Sequence, residues 1–314
     1  MKKEIFNALQ VKYIKLFFTL QFKEDSYLPE YKESALRGGM GEMLLRANCV
    51  MDRNCKQCDF LQECIVHRTM YSHYMIQPPF VKSGDSIGYV IYCDDHRTHI
   101  LAGDTLEFEL ILFGNAIVYF NQFVQAFYAL GINGLGHNAS KFDVLAIKNQ
   151  FKQPILFHGN INMNYFIPET IHDYVLRRYS MFETSQVKLE FLMPLTLKNR
   201  HEFMKVFDIV PILTAIKRRI YMMNCYIGKD VEAWYKEPMN DPPILLQQTA
   251  RRKGITRYSS TQGKKMTLNG IEGYLNIKNI SDSDLCLLLA GELLHIGKNT
   301  SFGFGRYTLQ KYTL

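Results

Sequence analysis

Gly297, Gly303 and Gly305 bracket Lys298, Asn299, Thr300 and Ser301, with His295 just before the segment and Arg306 just after it. Glycine admits positive φ and close backbone approach. A run of such turns can aim successive N–H groups outward as a concave anion site. Lys298 and Arg306 add full charges. The segment follows a Leu-rich helical stretch and leads into a strand, the reverse of a nucleotide-binding P-loop. The chemistry expected is contact with a polyanion lying along a sheet edge, RNA first among the candidates.

A second constellation is Cys49, Cys55, Cys58 and Cys64, separated by five, two and five residues. Four thiolates on a short segment suit a tetrahedral zinc site, and four protein ligands make it structural because no position stays open. An iron–sulfur cluster is the alternative for the same ligands. Cys93, Cys225 and Cys286 are scattered and read as packing residues.

Histidine serves as base or acid near neutral pH, and four are candidates. His67 and His73 stand among Arg68, Tyr71 and Tyr74, with His67 also able to replace a cysteine on zinc. His137 lies in a glycine-rich segment with Lys141 four residues on. His295 either contacts the polyanion or ends its helix, where a cation is favoured. Lys217, Arg218 and Arg219 read as a solvated helix face, and Tyr258 and Tyr307 as platforms for bases.

The elements that must position these groups repeat. Ile14, Leu16, Phe18, Leu20 and Phe22 alternate, a strand signature over 11–22. Then follow a helix (33–47), the Cys-rich excursion (49–64), strands (87–93 and 105–113), a helix capped by Asn115 (116–130) and a strand (141–148). The second half gives a strand (184–193), a helix over about 201–225 that Pro211 kinks or starts, strands around 264–278, a helix capped at Ser281 and a strand (304–313). Residues 150–180 and 225–262 lack periodicity, and Arg251-Arg-Lys-Gly254 reads as a basic turn. A β-α-β-β-α-β order in each half is the ferredoxin-like pattern. The expectation is therefore an α+β chain of tandem ferredoxin-like domains, 1–150 with the cysteine insertion and 151–314 with the glycine loop, leaving a cleft between them.

Composition agrees with a folded polyanion binder. Hydrophobic residues make 47% and charged residues 21%, which excludes a disordered chain, and the net charge is +7. No apolar stretch approaches a membrane span, and Lys12 and Lys15 interrupt any signal-peptide reading. A cytoplasmic location with reduced thiols follows as the expectation.

Four segments carry a resemblance: Leu36-Arg-Gly-Gly-Met-Gly-Glu-Met-Leu-Leu-Arg46, the cysteine cluster after it, Arg257-Tyr-Ser-Ser-Thr-Gln262 followed by Gly270 and Gly273, and Gly291 to Tyr307. Together they resemble the RAMP superfamily of CRISPR-associated RNA-binding proteins, and within it the endoribonuclease that processes precursor CRISPR RNA. The resemblance implies metal-independent cleavage in which the 2′-hydroxyl attacks the adjacent phosphate and leaves a 2′,3′-cyclic phosphate. It implies a base and an acid from among His67, His73, His137 and His295, with Arg37, Arg46, Arg257, Lys298 or Arg306 on the RNA or its developing charge. Members of that family often place a histidine on the opening helix, whereas this chain has Arg37 and Arg46 there. That departure leaves open a non-catalytic subunit holding guide RNA in a larger effector complex.

Overall fold

The structure is a computed structural model that describes residues 3–71, 73–81, 86–182, 186–239, 241–259 and 263–312. Ser260, Thr261 and Gln262 of the Arg257 motif lie outside them.

The first half runs β1 (Lys12–Phe22), α1 (Glu33–Asn48), β2 (Tyr89–Tyr92), β3 (Thr105–Phe113), α2 (Phe120–Asn133) and β4 (Phe142–Lys148). The second runs β5 (Val187–Leu195), α3 (Ile209–Tyr226), β6 (Ile244–Ser259), β7 (Lys264–Lys278), α4 (Asp282–Leu294) and β8 (Tyr307–Lys311). The sheets are antiparallel, and each half has the same spatial order: β2-β3-β1-β4 in the first, β6-β7-β5-β8 in the second. Short strands around 154–161 extend the first sheet.

The period-two stripe of β1 faces its helices. Ile14, Leu16, Phe18, Leu20 and Phe22 are buried with Leu36, Met40 and Leu44 of α1 and Phe123 and Phe127 of α2. Tyr13, on the other face, joins a core built mainly from α3, α4 and the second sheet. The halves thus share buried apolar surface, and the chain folds as one packed unit.

Several boundaries differ from expectation. The helix expected at 116–130 starts as a 3₁₀ turn over Gly114–Tyr119, and Asn115 donates to the Tyr226 carbonyl instead of capping it. Asp208 caps α3 with its side chain on the Val210 N–H, so Pro211 falls in the first turn, where its missing N–H costs nothing. Ser281 caps α4 through the Asp284 N–H, as its type predicts. Lys217 and Arg219 are buried, contrary to a solvated face: Lys217 donates to the Glu237 carbonyl and Arg219 to that of Leu294.

The largest miss is β6. Arg251–Gly254 is the middle of a 16-residue strand, not a turn. Paired with β7 from Ile244↔Lys278 to Ser259↔Lys264, it runs past the rest of the sheet, because β5 reaches β7 only from Ile271 onward. Residues beyond that point form a two-stranded ribbon. Burial still alternates along it, with Lys253, Ile255 and Arg257 on the more covered face, but two of these three are charged, so the sequence shows no apolar alternation.

Candidate nucleic-acid interface

The glycine loop connects α4 to β8. His295, Gly297, Asn299, Gly303 and Gly305 all have left-handed φ, between 54° and 82°. Glycine is required at 303, where an added Cβ would lie 3.0 Å from the Glu33 side chain and 3.2 Å from the Ile91 carbonyl. The loop thereby packs directly on the first half. Its N–H groups do not form the outward nest expected of them: those of Ile296, Lys298, Phe302, Gly303 and Gly305 donate to the carbonyls of Gly305, Thr196, Asn299, Thr300 and Pro194. Strands β5 and β8 must meet here, and the loop spends these donors on holding itself in place. Gly297 belongs to this scaffold, its Cβ position facing the Thr196 carbonyl.

What the loop presents instead is Phe302. The Arg37 guanidinium of α1 lies 4.9 Å from the Phe302 ring centre and the Arg257 guanidinium of β6 lies 4.6 Å from it. Beneath them Tyr92, Met193, Ile255 and Phe304 form a small buried cluster, with Tyr31, Leu268 and Phe302 packed against it. Among the described residues neither arginine has a carboxylate within 4 Å. Burial, then the like charge of Arg37, lowers the Arg257 pKa. Two cations held together without compensation attract an anion, and a half-buried ring between them supplies a stacking surface. Three of the four resembling segments, far apart in sequence, meet at this point.

The ribbon of β6 and β7 extends the same charge. Between Arg252 and Gly270 the sequence has Arg252, Lys253, Arg257, Lys264 and Lys265 and no acidic residue. Arg252, Lys264 and Lys265 are exposed, Tyr258 is 61% exposed, and the Lys253 ammonium stands 5.5 Å from the Tyr31 ring. Lys298 is exposed beside Phe203.

The structure corrects other expected contacts. Arg306 donates to Glu109 at 2.8 and 3.3 Å, lies 3.7 Å from the Tyr92 ring centre and shares Glu109 with Lys15. Burial would raise the Glu109 carboxyl, yet Lys15 and Arg306 bring it down to about 2. This cluster joins the halves rather than facing a ligand. Tyr307 is fully buried, its hydroxyl donating to the Leu288 carbonyl, so it stacks on no base. His295 is fully buried against Tyr92 and kept neutral by burial and then by Arg306, Arg219 and Lys15, so it reaches no RNA.

Nor do the remaining histidines join Arg37. His67 lines the cysteine cavity with His73 beside it, ring centres 6.1 Å apart. His137 is exposed in a turn beside Asn138, and Lys141, its expected partner, instead donates to the Ile132 and Asn133 carbonyls that end α2. Arg46 pairs with Glu42 and Asn133. Cys49, Cys55, Cys58 and Cys64 are free thiols on the wall of one cavity, and among the described residues no three His, Cys, Asp or Glu side chains are gathered as a metal-holding group.

Sequence reasoning missed Phe302, the ribbon and Glu33. Glu33 opens α1, is buried beneath Gly303 and accepts a hydrogen bond from the Cys93 N–H; burial pushes its carboxyl up to about 7. An acidic residue in a first helical turn signals only a helix start, so nothing in the sequence marked it.

Comparison with known proteins places these features in a family. Residues 9–165, half of the chain, match the family described as the AF_1859_N N-terminal domain, and residues 189–307 match CRISPR-associated endoribonuclease Cas6. An uncharacterized protein of Archaeoglobus fulgidus is 24% identical over 293 residues, 90% of this chain and 93% of that one. Two solved structures share the fold at a TM-score of 0.56 and 14% identity over 96% of this chain: a partial Cas6-RT-Cas1–Cas2 complex and a Cas6-RT-Cas1–Cas2 complex. The chain spans 46% and 29% of the polypeptides it matches there. Residues 9–165 thus make this chain a member of the AF_1859_N family, and its glycine-loop half is of the CRISPR-associated Cas6 type.

Proposed function

We propose that this protein is a metal-independent endoribonuclease that binds CRISPR repeat RNA and cuts it to mature guide RNA, leaving a 2′,3′-cyclic phosphate. The halves are read as tandem ferredoxin-like units of the RAMP type, with domains 1–150 and 151–314. The observation that carries the reading is the uncompensated pair Arg37 and Arg257 on Phe302, at the foot of a basic ribbon.

The ribbon's cations follow the phosphate backbone, and Tyr258 and Phe302 offer stacking faces for unpaired bases. The two guanidinium groups take the scissile phosphate and stabilise charge as the 2′-oxygen attacks. A buried, low-dielectric floor strengthens those contacts. His67 and His73 remain the candidates for base and acid, brought in by the RNA or by closure of their segment. Further CRISPR subunits are proposed partners, in line with the complexes whose fold is shared.

A second reading, a non-catalytic subunit holding guide RNA, is favoured by one fact: none of His67, His73, His137 and His295 lines the pocket of Tyr31, Arg257 and Phe302. Incubating the purified protein with its repeat RNA in EDTA separates the two. A single cut with a cyclic phosphate end supports the endonuclease; tight retention without a cut establishes the guide-holding subunit.

A further inference from the structure

Residues 49–65 contain no buried side chain, although the chain on either side is anchored in the core by Leu44 and Val66. Within this segment Val50, Met51 and Phe60 are exposed, and before the helix that begins at Ile65 the one regular element is a three-residue 3₁₀ turn, Cys55–Gln57. A stretch of this length with no fully buried side chain lacks most of the usual source of folding free energy, and small units in that position are held by a disulfide or a metal. No disulfide is present.

The segment carries other marks of a metal knuckle. Cys49, Cys55, Cys58 and Cys64 all line the same cavity of about 470 Å³. Asp52 and Arg53 both turn left-handed, at φ 43° and 65°, and the Arg53 N–H donates to the Cys49 sulfur at 3.1 Å. An N–H aimed at sulfur stabilises a thiolate, the form that binds metal. The Nδ1 of His67 is buried without a hydrogen-bond partner on the wall of this cavity. Arg53 also pairs at 2.7 Å with Glu42 of α1, the helix that carries Arg37.

We propose that Cys49, Cys55, Cys58 and Cys64 bind one zinc ion, drawing together across the cavity to close a four-thiolate site that fixes segment 49–64 on the end of α1. All four ligand positions are taken by protein, so the ion is structural. His67 stands outside the first four ligands and donates its ring N–H to one of the thiolates. This inference is independent of RNA cleavage.

The test is metal analysis of the full-length protein purified without chelator, followed by Co²⁺ exchange. One zinc per chain and thiolate-to-cobalt charge-transfer absorption are expected. Cys55→Ser with Cys58→Ser should drop zinc to near zero, while His67→Ala keeps it. If the double variant fails to fold, proteolysis of the wild type decides instead: stripping zinc should expose cleavage within 50–63 and restoring it should protect. Four freely titrating thiols in protein without metal, or iron with sulfide in place of zinc, would overturn the assignment.

Discussion

Two arginine clusters bridge the halves of this molecule, and their neighbours set their roles. Arg306 rests on Tyr92 with Glu109 between it and Lys15; Arg37 and Arg257 rest on Phe302 with no carboxylate beside them. Both sites use an aromatic ring and cations drawn from elements far apart in the sequence. One is neutralised from within the fold and serves cohesion, whereas the other is left for an external anion. Arg306 lies in the most recognisable motif of the chain, yet the Arg37 and Arg257 pair is the one proposed to meet RNA.

Removing the compensation should produce the largest effect. Glu109→Gln leaves Arg306 and Lys15 buried without a counter-charge, and a loss of about 3–5 kcal/mol is expected in chemical denaturation. Repeat-RNA affinity of the folded fraction should hardly change. A stable variant with weakened RNA binding would exchange the roles of the two clusters.

The carboxyls nearby sharpen the contrast through pH. Glu33, held up at about 7 by burial, keeps its proton in the folded state after the unfolded chain has lost it. Its contribution is full below the unfolded pKa of about 4.5 and falls as pH rises toward 7, by at most about 3.4 kcal/mol. Glu109, brought down to about 2, acts in the opposite sense: its contribution is present above about 4.5 and lost as pH falls toward 2. Melting curves of Glu33→Gln should lose the decline between pH 5 and 7 and keep the acid limb; a decline that persists assigns it to another group.

Single substitutions Arg37→Ala and Arg257→Ala should each weaken repeat-RNA binding roughly tenfold to a hundredfold, as expected of a charge-assisted phosphate contact. Melting temperature should stay near wild type, because neither side chain is paired with a carboxylate. The smallest effect is expected on the ribbon. Lys264→Ala with Lys265→Ala should lower the dependence of log affinity on log salt by roughly 0.7 per lost contact. An unchanged slope would remove the ribbon from the interface.

Much of the fold could be read from the chain. The stripe from Ile14 to Phe22, the helix after Lys32 and the Ser281 cap each follow one local rule, and the repeated element order led to the repeated strand order. The glycine loop was also found, but its chemistry was misassigned. Glycine spacing reports positive φ without reporting where the freed N–H groups point, and here they point into the loop and toward β5. Phe302 was hidden because a lone aromatic reads as core. His295 and Arg306 were misread because burial and the Glu109 contact, 197 residues away, are tertiary facts. The ribbon escaped because Lys253 and Arg257 flank Ile255 on its covered face and erase the apolar alternation that marks a strand.

The most direct test of the central claim is a double-mutant cycle on repeat-RNA binding with Arg37→Ala, Arg257→Ala and both together. If the two guanidinium groups hold one phosphate beside Phe302, the second substitution costs much less than the first, giving a coupling of about 0.5–3 kcal/mol. Losses that simply add, or affinity that survives both substitutions, would contradict a shared anion site between the halves.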